Sequence, residues 1–170
     1  DAIADLRTVL RRQKSAEALL LLARSYVGIG DNVVARDTYR RLVEERAPQF
    51  ELEIDSAGTH DYHVGEPPDE RAIAAAARRG IDLRRLRARQ VEAADFERFD
   101  LIVAMDRLNR ETLLASCPEP YRPRIRLFME FAGDRAVEDV PDPYYGGPLG
   151  FEQVLDLAEE AAAGLLDEVL

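Results

Sequence analysis

From Phe50 to Leu170 the apolar pattern changes period again and again, and this alternation limits the folds open to the chain more than any other feature. Phe50-Glu-Leu-Glu-Ile54 repeats every second residue, as a half-buried strand does, and runs into the turn-rich stretch Asp55-Ser-Ala-Gly-Thr59. Pro67 and Pro68 precede an Ala-rich helix over Pro68–Arg79 that Gly80 closes, because proline suits the first helical turn and glycine the residue past the last. Ala93–Arg98 reads as a short helix. Leu101-Ile-Val-Ala-Met105 is continuously apolar, the pattern of a strand covered on both faces, and a helix over Leu108–Ser116 follows. Arg124–Phe128 is the next strand, a loop rich in Pro, Gly, Asp and Tyr spans Gly133–Gly150, and Phe151–Leu170 is a final amphipathic helix. Strand and helix in turn predict an α/β fold, a parallel sheet of three or four strands flanked by helices.

Before residue 49 the chain reads differently. Ala2, Ile3, Leu6, Val9 and Leu10 recur at helical spacing, and a second apolar set runs from Ala16 through Leu19, Leu20, Leu22, Ala23 and Tyr26 behind a Ser15 cap. Gly28, Gly30, Asp31 and Asn32 stop that helix, and a third over about 33–46 ends before Pro48. Leu19–Leu22 also suit a strand buried on both faces, and that alternative stays open. Helix is preferred, because Leu, Ala and Glu are strong helix formers and no β-branched residue stands between Ser15 and Tyr26.

Composition narrows the function. The 170 residues suffice for one domain with a small appendage. A net charge of −10 repels nucleic acid and anionic membranes, so neither is expected as a partner. One cysteine and two histidines exclude an intramolecular disulfide and a Cys/His zinc site of the usual spacing, and fit a reducing cytoplasm. His60 and His63 with Asp55 and Asp61 can be drawn as a metal cluster, but a solvated loop is the preferred reading; no metal and no cofactor are expected. Arg84, Arg85, Arg87 and Arg89 read as a solvated basic helix end, and Lys14, the only lysine, rules out a lysine-dependent phosphate loop.

Two resemblances divide the chain. Leu19, Leu22, Ala23, Tyr26, Gly30, Ala35 and Tyr39 fall on the spacing of a tetratricopeptide repeat, so residues 1–48 resemble an α-hairpin of that type. From about Tyr39 onward the chain resembles the low-molecular-weight protein tyrosine phosphatases and related arsenate reductases. The residues that carry this are Tyr39-Arg-Arg-Leu-Val-Glu-Glu45, Ile54-Asp-Ser-Ala-Gly-Thr59, His63-Val-Gly-Glu-Pro67, Ala88-Arg-Gln90, Asp100-Leu-Ile-Val-Ala-Met-Asp106 and Val140-Pro-Asp-Pro-Tyr-Tyr-Gly-Gly147. The resemblance implies a four-stranded parallel sheet whose central strand comes first in sequence. It also implies a Cys-x5-Arg loop after that strand, where backbone N–H groups and the arginine cradle phosphate and a thiolate attacks phosphorus. An aspartate on the Asp-Pro-Tyr-Tyr loop then protonates the leaving phenolate. Asp142 holds that position, and Tyr144 and Tyr145 match the residues that wall the pocket.

No Cys-x5-Arg occurs in the sequence. Cys117 is followed six residues on by Pro123, and reads as a bystander. Counting back from Tyr39 in the family register puts Leu19–Leu22 on the first strand, Ser25 on the nucleophile and Asp31 on the arginine. These observations predict a non-catalytic, engineered chimera, a pseudoenzyme in which Asp142, Tyr144 and Tyr145 are vestigial. A tetratricopeptide-like segment (1–48) is joined to a truncated phosphatase-like body (49–170) through a shared helix over 33–46. If residues 16–26 are helical, the central slot of the sheet is empty, and a homodimer through an exposed sheet edge is expected. Two other functions stay open: a peptide-binding module at the helical hairpin, and a tyrosine phosphatase of residual activity.

Overall fold

A computed structural model of the chain describes residues 18–24, 31–50, 52–133, 137–143 and 147–169, with backbone alone for 18–24, 31, 147, 148 and 169. Its core is a four-stranded parallel sheet in the order β2-β1-β3-β4, built from β1 (Ala18–Arg24), β2 (Leu52–Gly58), β3 (Leu101–Ala104) and β4 (Ile125–Leu127). The helices are α1 (Asp31–Arg46), α2 (Glu70–Arg78), α3 (Ala93–Arg98), α4 (Arg107–Ser116) and α5 (Gly147–Val169). Short 3-10 turns, Glu119–Arg124 and Phe128–Phe131, flank β4.

Residues 18–24 are strand, not helix. Leu20 pairs with Ile54 on one side and Leu101 on the other, so β1 fills the central slot and the sheet has four strands rather than three. The tetratricopeptide-type hairpin therefore does not form over these residues, and the sheet has no empty central slot. Helical propensity lost because two flanking strands offer β1 a hydrogen-bond partner on each edge. A run of four leucines has no polar–apolar alternation by which to announce itself as a strand. The helix expected over residues 2–10, the Ser15 cap and the turn at Gly28 and Gly30 lie outside the described residues. β2 also differs: it runs to Gly58, taking in Asp55–Gly58 that composition marks as a turn.

β3 shows how the two faces are covered. Leu101 and Val103 face a large apolar cluster with α1, α2 and α5, while Ile102 and Ala104 face a smaller one with Phe96, Phe99, Leu113, Cys117 and Ile125. All four residues are buried, as the unbroken apolar run requires. Capping fixes the helix ends. Asp69 accepts from the Arg71 N–H (2.8 Å) at the start of α2, and Gly80, at φ +79°, turns the chain after Arg79. At the C-terminal end of α2, Arg79 pairs with Glu152, Asp156 and Glu159 of α5. Gly164 lets α5 approach the Phe131 carbonyl, since a Cβ there would stand 1.8 Å from that oxygen.

Candidate active site

The chain leaves β1 through α1 to β2 on one side, then crosses to β3 on the other. In open parallel sheets ligands bind in the crevice at the C-terminal ends of strands where successive connections part in this way. Here that point lies at the ends of β1 and β3. β1 ends at Arg24 and α1 begins at Asp31; the connecting segment, Ser25 included, lies outside the described residues.

The end of β2 forms one side. Asn32, buried in the first turn of α1, donates from Nδ2 to the Ala57 carbonyl (3.1 Å) and accepts from the Val33 N–H (3.0 Å). This ties the start of α1 to β2. Asp55 pairs with Arg89 (2.8 Å) and stands 4.0 Å from Arg36, whose guanidinium is bonded to Asp37 (2.9 Å). Arg89 reaches on to the buried Asp95 (2.8 Å). Beyond Gly58 the loop carries His60 stacked on Tyr62, centroids 5.6 Å apart, and Tyr62 is 76% exposed.

The end of β3 forms the other side. Just past it, the Met105 carbonyl accepts from the Val140 N–H (2.9 Å), which draws the 137–143 segment to the strand beside β1. Asp106 caps α4 by accepting from the Asn109 N–H (2.7 Å). Asp139 accepts from both the backbone and the guanidinium of Arg107. Two residues beyond the buried Val140, Asp142 is half-buried, and Pro143 after it is buried against Gly150. Tyr144 and Tyr145 lie outside the described residues.

Comparison with known proteins decides what this crevice belongs to. Residues 27–170 match the family described as low molecular weight phosphotyrosine protein phosphatase. The chain belongs to that family. It is 44% identical over 113 residues to a putative low molecular weight protein-tyrosine-phosphatase of Synechocystis, covering 66% of this chain and 71% of that one. It is 40% identical over 141 residues to a low molecular weight protein-tyrosine-phosphatase of Streptomyces coelicolor, covering 80% and 84%. The crystal structure of a protein tyrosine phosphatase from Entamoeba histolytica superposes with a TM-score of 0.81 at 33% identity, over 89% of this chain and 96% of that one.

These findings overturn the reading of the chain as a non-catalytic, engineered chimera and pseudoenzyme. The match begins at residue 27, so α1, assigned above to a repeat-protein hairpin, lies within the phosphatase family's span. Its relatives over most of the chain are phosphatases. The absence of Cys-x5-Arg concerns one loop, whereas the family match extends over residues 27–170.

The remaining candidates sit elsewhere. Cys117 ends α4 within the smaller apolar cluster; it is buried, and its thiol donates to the Pro118 carbonyl (3.4 Å). Burial pushes that thiol up, with Arg122 and Arg124 opposing. His63 pairs with Glu66 (2.7 Å), and among the described residues no three His, Cys, Asp or Glu gather where a metal ion could be held. Of the basic run, Arg84 pairs with Asp82 and Arg89 with Asp55 and Asp95. No described helix is long and apolar enough to cross a membrane. Asn32, expected only as part of a helix stop, lies inside α1, and its partner is 25 residues away; Arg107, whose partner is 32 residues away, has no local signal, whereas an aromatic between two histidines is a signal for Tyr62.

Proposed function

We propose that this chain hydrolyses phosphomonoesters of the phosphotyrosine type in the crevice at the ends of β1 and β3. The observation that carries the reading is the family match over residues 27–170, joined to a sheet in which β1 is central. Cys117 does not serve: it is buried in the smaller apolar cluster, and it ends α4, a ten-residue helix about 15 Å long whose other end, at Arg107, is the one beside the end of β3. The attacking group therefore comes from the segment between β1 and α1, where Ser25 holds the nucleophile's register. Phosphoryl transfer through a loose transition state demands little of its nucleophile, so a hydroxyl can act, more slowly than a thiolate. Ser25 Oγ bonds to phosphorus as the aryl ester P–O bond breaks, and its proton passes to a phosphoryl oxygen. Asp142 gives its proton to the departing phenolate. Water then attacks phosphorus as the Ser25 Oγ–P bond breaks; its proton goes to Asp142, the proton held on the phosphoryl oxygen returns to Ser25 Oγ, and phosphate is released. The start of α1 supplies N–H groups for the phosphate oxygens, and the exposed ring of Tyr62 offers a face for the aryl group.

Hydrolysis of p-nitrophenyl phosphate by the purified chain tests this. Slow turnover that falls on Ser25→Ala and on Asp142→Asn and is unchanged in Cys117→Ser is the expected result. Turnover that survives Ser25→Ala and disappears with Cys117→Ser would overturn the assignment.

A further inference from the structure

Arg107, just past the end of β3, is engaged by two carboxylates, Glu138 and Asp139, and the reaction above does not use it. It is the first residue of α4, where the backbone N–H has no partner within the helix. That N–H goes to Asp139 Oδ1 (2.9 Å). The guanidinium of the same residue closes on the same carboxylate, Nε to Oδ2 at 3.1 Å and Nη2 to Oδ2 at 2.9 Å, while Nη1 lies 3.0 Å from Glu138 Oε2. A lone exposed ion pair contributes little, but a carboxylate gripped by a guanidinium fork and a helix N-terminal amide is fixed in orientation as well as in place. The next residue, Val140, is buried and bonded to Met105 just past β3. Asp142 stands two residues further on, and Pro143 is buried beyond it.

We infer that Arg107 is a positioning residue for the general acid: by clamping Asp139 to the start of α4 it sets the segment that carries Asp142 over the crevice. The inference rests on the phosphatase reading and on Asp142 as the proton donor. Arg107 touches no substrate; it acts through the backbone between Asp139 and Asp142. Its loss therefore harms leaving-group protonation more than binding. An ester whose phenolate leaves readily needs the acid less than one whose phenolate leaves poorly.

The test uses the full chain with Arg107→Gln, Arg107→Lys and Asp139→Asn. Hydrogen exchange over residues 137–142 is read without reference to activity, and is expected to quicken about fivefold or more in Arg107→Gln and Asp139→Asn, and less in Arg107→Lys. In kinetics, kcat for phenyl phosphate falls about tenfold in Arg107→Gln, kcat for p-nitrophenyl phosphate falls about twofold or less, and KM holds for both, since general acid catalysis by a placed carboxyl is worth 10²–10⁴-fold in all. Unchanged exchange overturns the clamp. Quickened exchange with equal losses for the two esters overturns the positioning role. Quickened exchange in a chain without turnover on either ester supports the clamp and places the failure in the phosphatase reading.

Discussion

β1 and β3, the two central strands, end side by side, and the helices that follow them, α1 and α4, are held by different means. At β3–α4 the strand is Leu-Ile-Val-Ala, buried throughout, and the helix starts on its own cap, Asp106. Asp139 adds a second carboxylate to the same helix end. At β1–α1 the strand is a leucine run paired on both edges, and α1 is fastened by Asn32 to the end of β2. One junction is specified largely by its own residues, the other by its neighbours. A site that must present several backbone N–H groups to a phosphate gains from the second arrangement, since the positions of strand and helix are then set by the whole sheet rather than by one cap.

The largest effect that would sharpen this contrast is at the strand. Leu21→Pro removes an N–H from a strand paired on both edges and is expected to cost at least about 3 kcal/mol, leaving the chain largely unfolded by circular dichroism. A variant that melts as the parent does would break the account of β1. Next comes the chemistry of the junction. Ser25→Cys combined with Asp31→Arg supplies a thiolate and a cation in the family's register, and kcat/KM for p-nitrophenyl phosphate is expected to rise about 100-fold or more, the scale on which a single placed donor acts. No rise in a folded double variant would show that the register is wrong. At the other junction, Asp106→Ala removes the cap of α4 and is expected to cost about 1 kcal/mol in urea unfolding. A cost near that of Leu21→Pro would erase the distinction between the junctions.

The smallest effect is a pH dependence. Burial raises the folded pKa of Tyr39, on α1, and of Cys117, at the end of α4. For a raised acid the folded state holds its proton longer, so the stabilisation is complete below the unfolded pKa, about 8.5 for the thiol and about 10 for the phenol, and is lost as pH climbs from there through the folded values. The melting temperature is expected to decline above about pH 8.5 and more steeply above about pH 10. Tyr39→Phe should remove the steeper part and Cys117→Ala the shallower.

How much of this the sequence reveals follows from the same contrast. β3, α3 and α4 are legible because their signals are local: β-branched residues, a short capped helix, an apolar face at helical spacing. β1 is illegible because leucine and alanine serve a buried strand and a buried helix alike, and only Ile54 and Leu101 as partners decide between them. The extension of β2 through Asp55–Gly58 escapes for a related reason: turn-forming residues stay extended when a parallel neighbour holds them. Asp142 is readable through its motif. Asn32 and Arg107 are ordinary polar residues in sequence, given meaning by Ala57 and Asp139 across the fold.

A titration of the ¹⁵N-labelled chain with inorganic phosphate, followed by amide chemical shifts, tests most directly where the chemistry is placed. The account predicts that the largest shifts fall on residues 25–33, with a second group at 140–143, and that Cys117, Arg122 and Arg124 are unmoved. Shifts centred on Cys117 and Arg122, or none across residues 25–33 at saturating phosphate, would contradict it.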